Sequence, residues 1–445
     1  MTPKPEDRSG HDWRLACLCV EEGITDPELL YQIIFHNPHG KAVSHPGTTK
    51  YIQDLVSGCL SQFKVDRIET NRFPRDTIQG LAKEFADTYS DYLESPWEFW
   101  AFSFLTCLGS MLASRLTLDS AIRPQPRFFT LLLGESAIDR KSEAIKQTVD
   151  FFVETFSSDF SACFGVGSAE GLAEWLCKHP LTLLIYDEAK VFVSKAIIES
   201  SVLLPCVNTL FESNRFHSHT KGHSIKVDSG YLSILAASTT DTFQRMWTPA
   251  FTDIGFLNRL WLVPGKAERR FPIPKCIPED KKNALREKLV GLMNAIPKAA
   301  KNLEISQEAN DIFSDWYNRN MRSSIFTKRL DTYGHRLMVL FCANESKAKV
   351  TPDITERVVS LLEWQHLIRR EYDPIDAEGK VARVEQNIRR VLSSGPLRKR
   401  DLQRKVHYDR YGLFIFNTAL QNLLEEGEVA YDHKSKVYRK AEDDD

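Results

Sequence analysis

No stretch of the chain is apolar over the roughly 18 residues that a membrane-crossing helix needs. The first residues, Met1 to Gly10, are polar, with no apolar signal-peptide core behind them. Both absences predict a cytoplasmic protein without membrane contact. Paired cysteine motifs are missing too. The 9 cysteines are scattered, and the nearest two, Cys17 and Cys19, lack the C-x-x-C spacing of a zinc knuckle or redox site. An odd number of mostly apolar-flanked thiols fits a reducing compartment and argues against structural zinc. Neither sign of charge is in excess: 58 Lys and Arg face 60 Asp and Glu, so the whole-chain balance points to no partner. Internal repeats and low-complexity segments are absent. What remains is 445 residues of ordinary globular composition, 42% hydrophobic and 27% charged. That is enough for about three domains and argues against a disordered chain.

Residues 1–75 read as a small helical domain, with helices over Asp12–Glu22, Asp26–Phe35 and Thr49–Phe63 around a turn-rich stretch, His36–Thr48. Residues 76–120 lead into the core as a helical segment from about Thr77 to Leu118. Its middle, Glu98 to Leu112, is apolar nearly all round and predicts a buried helix. Between 121 and 268 the texture changes to short apolar runs, Phe128–Leu133, Leu181–Tyr186, Tyr231–Ala237 and Arg259–Val263, separated by helical patterns. Parallel strands covered on both faces look like this, so the expected fold class is α/β. The Pro-rich stretch Phe271–Pro278 marks a boundary, and 269–380 reads as a helical lid. Residues 381–445 give three helices (Val384–Leu392, Lys399–Val406, Leu413–Glu426) and two short strands (Glu428–Tyr431, Val437–Arg439), the pattern of a winged helix.

The first apolar run ends in Gly134-Glu135-Ser136-Ala-Ile-Asp139-Arg140-Lys141-Ser142, and a helical pattern follows. A nucleoside triphosphate needs backbone N–H groups and a helix N-terminus aimed at its phosphates, a Lys on the β/γ-phosphates and a hydroxyl on Mg²⁺. Lys141 and Ser142 stand where the last two belong, although the loop is one residue longer than GxxxxGK[ST] and has Arg140 in place of Gly. The other reading is an exposed basic turn. The second run ends in Asp187-Glu188: Asp187 would complete the Mg²⁺ shell and Glu188 would polarise the attacking water. Ser238 and Thr239 end the third run, where a polar side chain could orient that water. Arg259, opening the fourth, is placed for an arginine finger acting on a neighbouring subunit's phosphate or for a strand-edge ion pair.

Two regions suit nucleic acid. Asn214 to Val227 reads as a hairpin with Lys221-Gly222 at its turn, presenting His217, His219, His223 and Lys226. Three histidines also suggest a metal, but no carboxylate completes a ligand set and Lys221 would repel a cation. From 381 to 440 thirteen basic side chains face seven acidic ones, a balance of +6, with Arg398, Lys399, Arg400, Arg404, Lys434 and Lys436 among them. Such a surface neutralises DNA phosphates, while a winged helix can also dock protein.

This order resembles the AAA+ replicative helicases of the MCM-like branch, in particular the replication ATPases of phages, plasmids and integrated mobile elements. Their altered P-loop, G-x-x-x-x-x-R-K-[GST], matches Gly134 to Ser142. The resemblance implies that Ala236-Ala-Ser238 is the sensor-1 strand end, with Ser where Asn is usual. It implies that Leu257-Asn-Arg259 carries the arginine finger, and that Thr327-Lys-Arg329, with His335-Arg336-Leu beyond it, is the sensor-2 segment acting across the subunit interface. The hairpin then corresponds to the pre-sensor-1 hairpin that contacts DNA. The implied protein is an ATP- and Mg²⁺-dependent DNA helicase working as a homo-oligomeric, hexameric ring. A primase or single-strand-binding protein is a further candidate partner. Residues His39 to Tyr51 are similar to the linker of phage primase–helicases, but no primase triad or zinc module accompanies them. Two rival expectations remain: an AAA+ initiator or helicase loader that switches without processive unwinding, and an ATPase-inactive DNA-binding scaffold.

Overall fold

The computed structural model describes residues 8–21, 27–37, 40–41, 49–56, 59, 72–196, 198, 201–220, 223–246, 255–268, 270–320, 327–372 and most of 381–440. The chain divides into two compact units, Met1–Pro74 and Arg75–Asp445. In the first, α1 (Arg8–Glu21), α2 (Pro27–Phe35) and helical residues 49–56 bury Ala16, Leu30, Ile34, Ile52 and Val56 together. Asp12 is fully buried and accepts hydrogen bonds from Asn37 Nδ2 at 3.0 Å, Lys41 N at 2.8 Å and the Tyr51 hydroxyl at 3.3 Å. A carboxylate out of water needs such donors, and here they tie α1 to the turn after α2 and to helical residues 49–56.

The second unit opens with α3 (Gly80–Ser90) and α4 (Trp97–Leu112), where the sequence predicts one helical segment. Pro96 explains the break, since a proline pushes the residue before it out of the helical region. The predicted buried helix is α4, in which every residue except Glu98 is buried. The predicted segment ends instead in β1 (Leu116–Leu118).

A mixed α/β core follows: β2 (Phe129–Gly134), α5 (Lys141–Phe156), β3 (Ser161–Cys163), α6 (Ala169–Lys178), β4 (Leu181–Tyr186), α7 (Ala189–Ala196), α8 (Leu203–Glu212), the strands β5 (Phe216–Thr220) and β6 (His223–Val227), β7 (Tyr231–Thr239), α9 (Thr240–Arg245) and β8 (Trp261–Pro264). Five of these strands form a parallel sheet in the order β3-β4-β7-β2-β8. The edge strand β3 is too short and too little apolar for the sequence to announce it. Side chains alternate between the two faces. Thr130 faces α4, where its hydroxyl shares a 2.7 Å hydrogen bond with Thr106, and Phe129 faces α8, with its ring 5.0 Å from that of Phe211.

Beyond the core lie α10 (Glu279–Ala295), β9 (Lys301–Ile305), α11 (Gln307–Asn320), α12 (Leu330–Asn344), β10 (Lys349–Val350) and α13 (Pro352–Glu371). The strands β1, β9 and β10 make a second small parallel sheet. Pairings this short between distant segments leave no periodic trace in the sequence. No helix among the described residues is long and apolar enough to cross a membrane.

Close packing sets a test. A Cβ on Gly109 of α4 would stand 1.9 Å from the Pro126 carbonyl oxygen, a contact with backbone that no rotamer relieves. Gly109→Ala is expected to destabilise the protein by about 2 kcal/mol or more, read as a lower midpoint in chemical denaturation.

The C-terminal part consists of helical residues between 381 and 392, α14 (Lys399–Lys405), a single turn at Tyr408–Tyr411, α15 (Leu413–Glu425) and the antiparallel pair β11 (Val429–Asp432) and β12 (Val437–Lys440). Leu397 bridges to Tyr438 of β12, with hydrogen bonds of 2.9 and 2.8 Å. Val384, Ile388, Leu402, Phe416, Leu420 and Val429 share a separate small core.

Candidate functional site

The C-terminal ends of β2, β4 and β7 bring the first group of predicted residues together. Gly134 ends β2 and Lys141 begins α5. The Lys141 ammonium is buried and donates to the Gly134 and Glu135 carbonyl oxygens, each at 2.9 Å. Burial holds this lysine below the ordinary range, against the opposing pull of Asp139, Glu188 and Glu135. Helix α5 has no side-chain cap at its N-terminus, so its dipole end is open to an anion.

Asp139 has a different place from the rest of the loop. It is buried, accepting from Glu135 N at 2.5 Å and from Ala267 N at 2.8 Å. It therefore braces the loop from inside, whereas Glu135, Ser136 and Ser142 are exposed. A Cβ on Gly134 would lie 2.7 Å from the Asp139 carboxylate, which is why glycine is required there. Arg140 adopts the left-handed conformation, φ 49° and ψ 34°. The backbone thus keeps the geometry that a glycine would supply, at a cost of about 1–2 kcal/mol. Ser95 Oγ donates to the Arg140 carbonyl at 2.9 Å, and Glu94 lies 3.6 Å from the Arg140 guanidinium.

Strand β7 runs between β2 and β4, so its end comes between the lysine loop and the acidic tip. Ser238 is fully buried and lies beside Leu133 of β2; its hydroxyl donates to Glu188 Oε1 at 3.3 Å. Asp187 is exposed and Glu188 half-buried. Thr239 serves the backbone: its hydroxyl oxygen accepts from Thr242 N at 3.0 Å and caps α9.

Arg259 and Arg329 form a second group, at the other end of the sheet. Arg259 does not begin β8, as the sequence suggests, but ends a single 3-10 turn, Leu257–Arg259, just before it. Trp261 pairs with Thr130, so Arg259 stands level with Phe128, six residues before Gly134. At about 3.3 Å per residue that is about 20 Å from the Lys141 loop, too far for the Arg259 side chain to reach that loop in its own chain.

Arg329 precedes α12 in a left-handed conformation, φ 64°. Its guanidinium contacts Glu212 Oε1, and Arg259 Nη2 lies 3.5 Å from the same oxygen. Arg259 also donates to the Gly255 carbonyl at 2.8 Å. Burial draws both guanidiniums below the ordinary arginine range. The two segments are tied together by Arg369 of α13. It donates to the Lys328 carbonyl at 2.8 Å, to Asn258 O at 3.0 Å and to Leu260 O at 3.1 Å. Tyr333 OH donates to the Arg259 carbonyl at 2.5 Å. Arg336 binds the Arg127 and Phe211 carbonyls at 2.9 and 2.5 Å, and burial lowers it to about 10. That is a role in holding α12 to the core.

The predicted hairpin exists: β5 and β6 pair antiparallel from Phe216↔Val227 to Thr220↔His223. His217 and Lys226 face each other across it, and both contact Asp228, at 3.2 and 2.9 Å. His219 and His223 lie in the strands, but their side chains, like Lys221 at the turn and Lys434 in the β11–β12 connection, fall outside the described residues. Arg398, Lys399, Arg400, Arg404 and Lys436 are all exposed. The third C-terminal helix, α15, carries no Lys or Arg, so the basic surface lies on α14, its N-cap Arg398 and the β12 side.

Sequence reasoning missed Glu212, Asp228, Tyr333 and Arg369. An arginine falling among the apolar positions of α13 was the available signal for Arg369, because such a residue must find buried acceptors. No protein-family profile matches the chain, and no curated protein matches it.

Proposed function

We propose that this protein is an AAA+ ATPase that translocates on DNA as a homo-oligomeric ring, a replicative helicase of a phage or mobile element. One observation carries the reading: Lys141, Glu188 and Ser238 converge at one end of the sheet, while Arg259 and Arg329 converge about 20 Å away at the other. Separated halves of one phosphoryl-transfer site make sense when neighbouring subunits meet end to end, each completing the next one's site.

The residues present fit a Mg²⁺-bound nucleoside triphosphate. An under-solvated ammonium and an uncapped helix N-terminus suit an anion, and Ser142 and Asp187 offer hard oxygen donors. Bound Mg²⁺ would neutralise phosphate charge. Glu188 would take the proton of the attacking water, with Ser238 fixing the orientation of its carboxylate. Asp139 keeps the loop open by holding it to Ala267, and Arg259 and Arg329 would meet the charge developing on the neighbour's phosphate.

The C-terminal part is read as a winged helix and the β5–β6 hairpin as the strand grip. Basic residues on and next to α14 would contact DNA phosphates, with a helix free of cationic side chains beside them. Replacing Lys399, Arg400 and Arg404 together with Ala is expected to weaken DNA binding similarly across sequences. It should also flatten the slope of log affinity against log salt by up to about three. Fluorescence anisotropy over a salt series measures this.

The test of the reading is ATP turnover by the full-length protein with and without single-stranded DNA, followed by strand displacement on a forked duplex. DNA-stimulated turnover with displacement supports the helicase. Turnover without displacement would indicate an initiator or loader. DNA binding without turnover would leave a scaffold.

A further inference from the structure

The last turn of α8 gathers four arginines, and they divide by the acceptor they use. Arg127 donates to the Leu210 carbonyl at 2.7 Å and Arg336 to the Phe211 carbonyl at 2.5 Å, both deeply buried. These two cations sit on the negative end of the helix dipole and fix the helix end. Arg259 and Arg329 instead share one carboxylate oxygen of Glu212, whose side chain remains 41% exposed. Arg369 holds the carbonyls of the residues on either side of Arg259 and of the residue before Arg329, so a change of partner needs only the two arginine side chains to move.

We propose that Glu212 is a built-in substitute for the neighbouring subunit's nucleotide phosphate. It holds Arg259 and Arg329 inside their own subunit until a phosphate displaces it. A terminal phosphate brings three acceptor oxygens and about two negative charges, enough to satisfy both guanidiniums at once. The exchange makes assembly depend on nucleotide: without a phosphate across the interface, the arginines stay on Glu212. This inference rests on the ring-ATPase reading.

The experiment measures ring assembly of the full-length protein by mass photometry, over a range of protein concentrations, with Mg²⁺ and a non-hydrolysable ATP analogue. Glu212→Gln keeps the shape and removes the competing charge. It is expected to lower the midpoint concentration for assembly about fivefold, the equivalent of about 1 kcal/mol for a half-exposed pair. Glu212→Asp withdraws the carboxylate by one methylene and should shift the midpoint in the same direction by less. In an Arg259→Ala/Arg329→Ala background the Gln substitution should have no effect, and raising the salt should narrow the gap between wild type and Glu212→Gln. Arg127 and Arg336 still hold the end of α8 in these variants. Should Glu212→Gln nevertheless melt early, Glu212→Asp carries the same comparison.

An unchanged or raised midpoint in Glu212→Gln, with wild type assembling, would overturn the proposal and leave the ATPase reading standing. A shift that survives loss of both arginines would do the same. Failure of wild type and every variant to assemble with nucleotide would remove the ring-ATPase reading, and the inference with it.

Discussion

Replacing Lys141 with alanine is expected to abolish ATP turnover while leaving the protein folded. The two consequences separate because the lysine's folded-state partners are weak and its proposed ligand is strong. Its ammonium is held by two neutral carbonyl oxygens at 2.9 Å, each bond worth about 1 kcal/mol net, and it is kept from water. Burial lowers its pKa, so folding disfavours the charged form. Between the depressed and the ordinary lysine pKa the unfolded chain binds more protons, and stability from this group therefore rises with pH across that window. Alanine removes two modest hydrogen bonds and a desolvated charge together, so the loss of stability should stay within about 1–2 kcal/mol. A bound triphosphate would meet the same ammonium through charge-assisted bonds, roughly twice as strong as neutral ones. Phosphate release should fall to background in Lys141→Ala, with a thermal midpoint near wild type. Turnover within tenfold of wild type would remove Lys141 from the phosphate site.

How much of this was legible in the sequence depends on the range of the interaction. The α/β core could be read because its strands are continuous apolar runs, and β2, β4 and β7 lie within a residue or two of the runs at 128, 181 and 231. The buried α4 was visible for the same reason, as apolar composition all round one helix. The loop from Gly134 to Ser142 was legible as spacing, but the role of Asp139 was not. Its partners, Glu135 N and Ala267 N, lie on both sides of a fold that brings residue 267 back beside 139. Glu212 shows the limit most clearly. It ends an ordinary helix, and nothing local distinguishes it from a solvated acidic residue. Its meaning comes from Arg259, 47 residues on, and Arg329, 117 residues on, converging on one oxygen. The strands β1, β9 and β10 were missed likewise, because two- and five-residue partners carry too little pattern to betray a non-local pairing.

Arg259→Ala is expected to lower ATP turnover by about 10³-fold or more while nucleotide binding persists, because a finger arginine acts on the transition state of phosphoryl transfer. The position of Arg259 sharpens this into a test of geometry. At about 20 Å along the sheet from its own Lys141 loop, it could serve the proposed reaction only at another subunit's site. In the proposed ring, Lys141→Ala and Arg259→Ala would therefore damage opposite halves of each interface. Mixed in equal amounts and allowed to exchange subunits, two inactive proteins should regain activity. About one interface in four would pair an intact Lys141 with an intact Arg259, setting recovery at up to roughly a quarter of wild type if interfaces fire independently. A finger acting within its own chain predicts no recovery, since every subunit in the mixture carries one lesion or the other. Recovery would also show that lost turnover in Arg259→Ala does not arise from misfolding, because a misfolded subunit could not supply an intact Lys141 face. Arg259 is itself under-solvated in the fold, with a pKa drawn down by burial, so its removal relieves a buried charge as it breaks the 2.8 Å bond to Gly255. The geometry thus predicts a variant that folds, binds nucleotide and is silent alone, yet active in company.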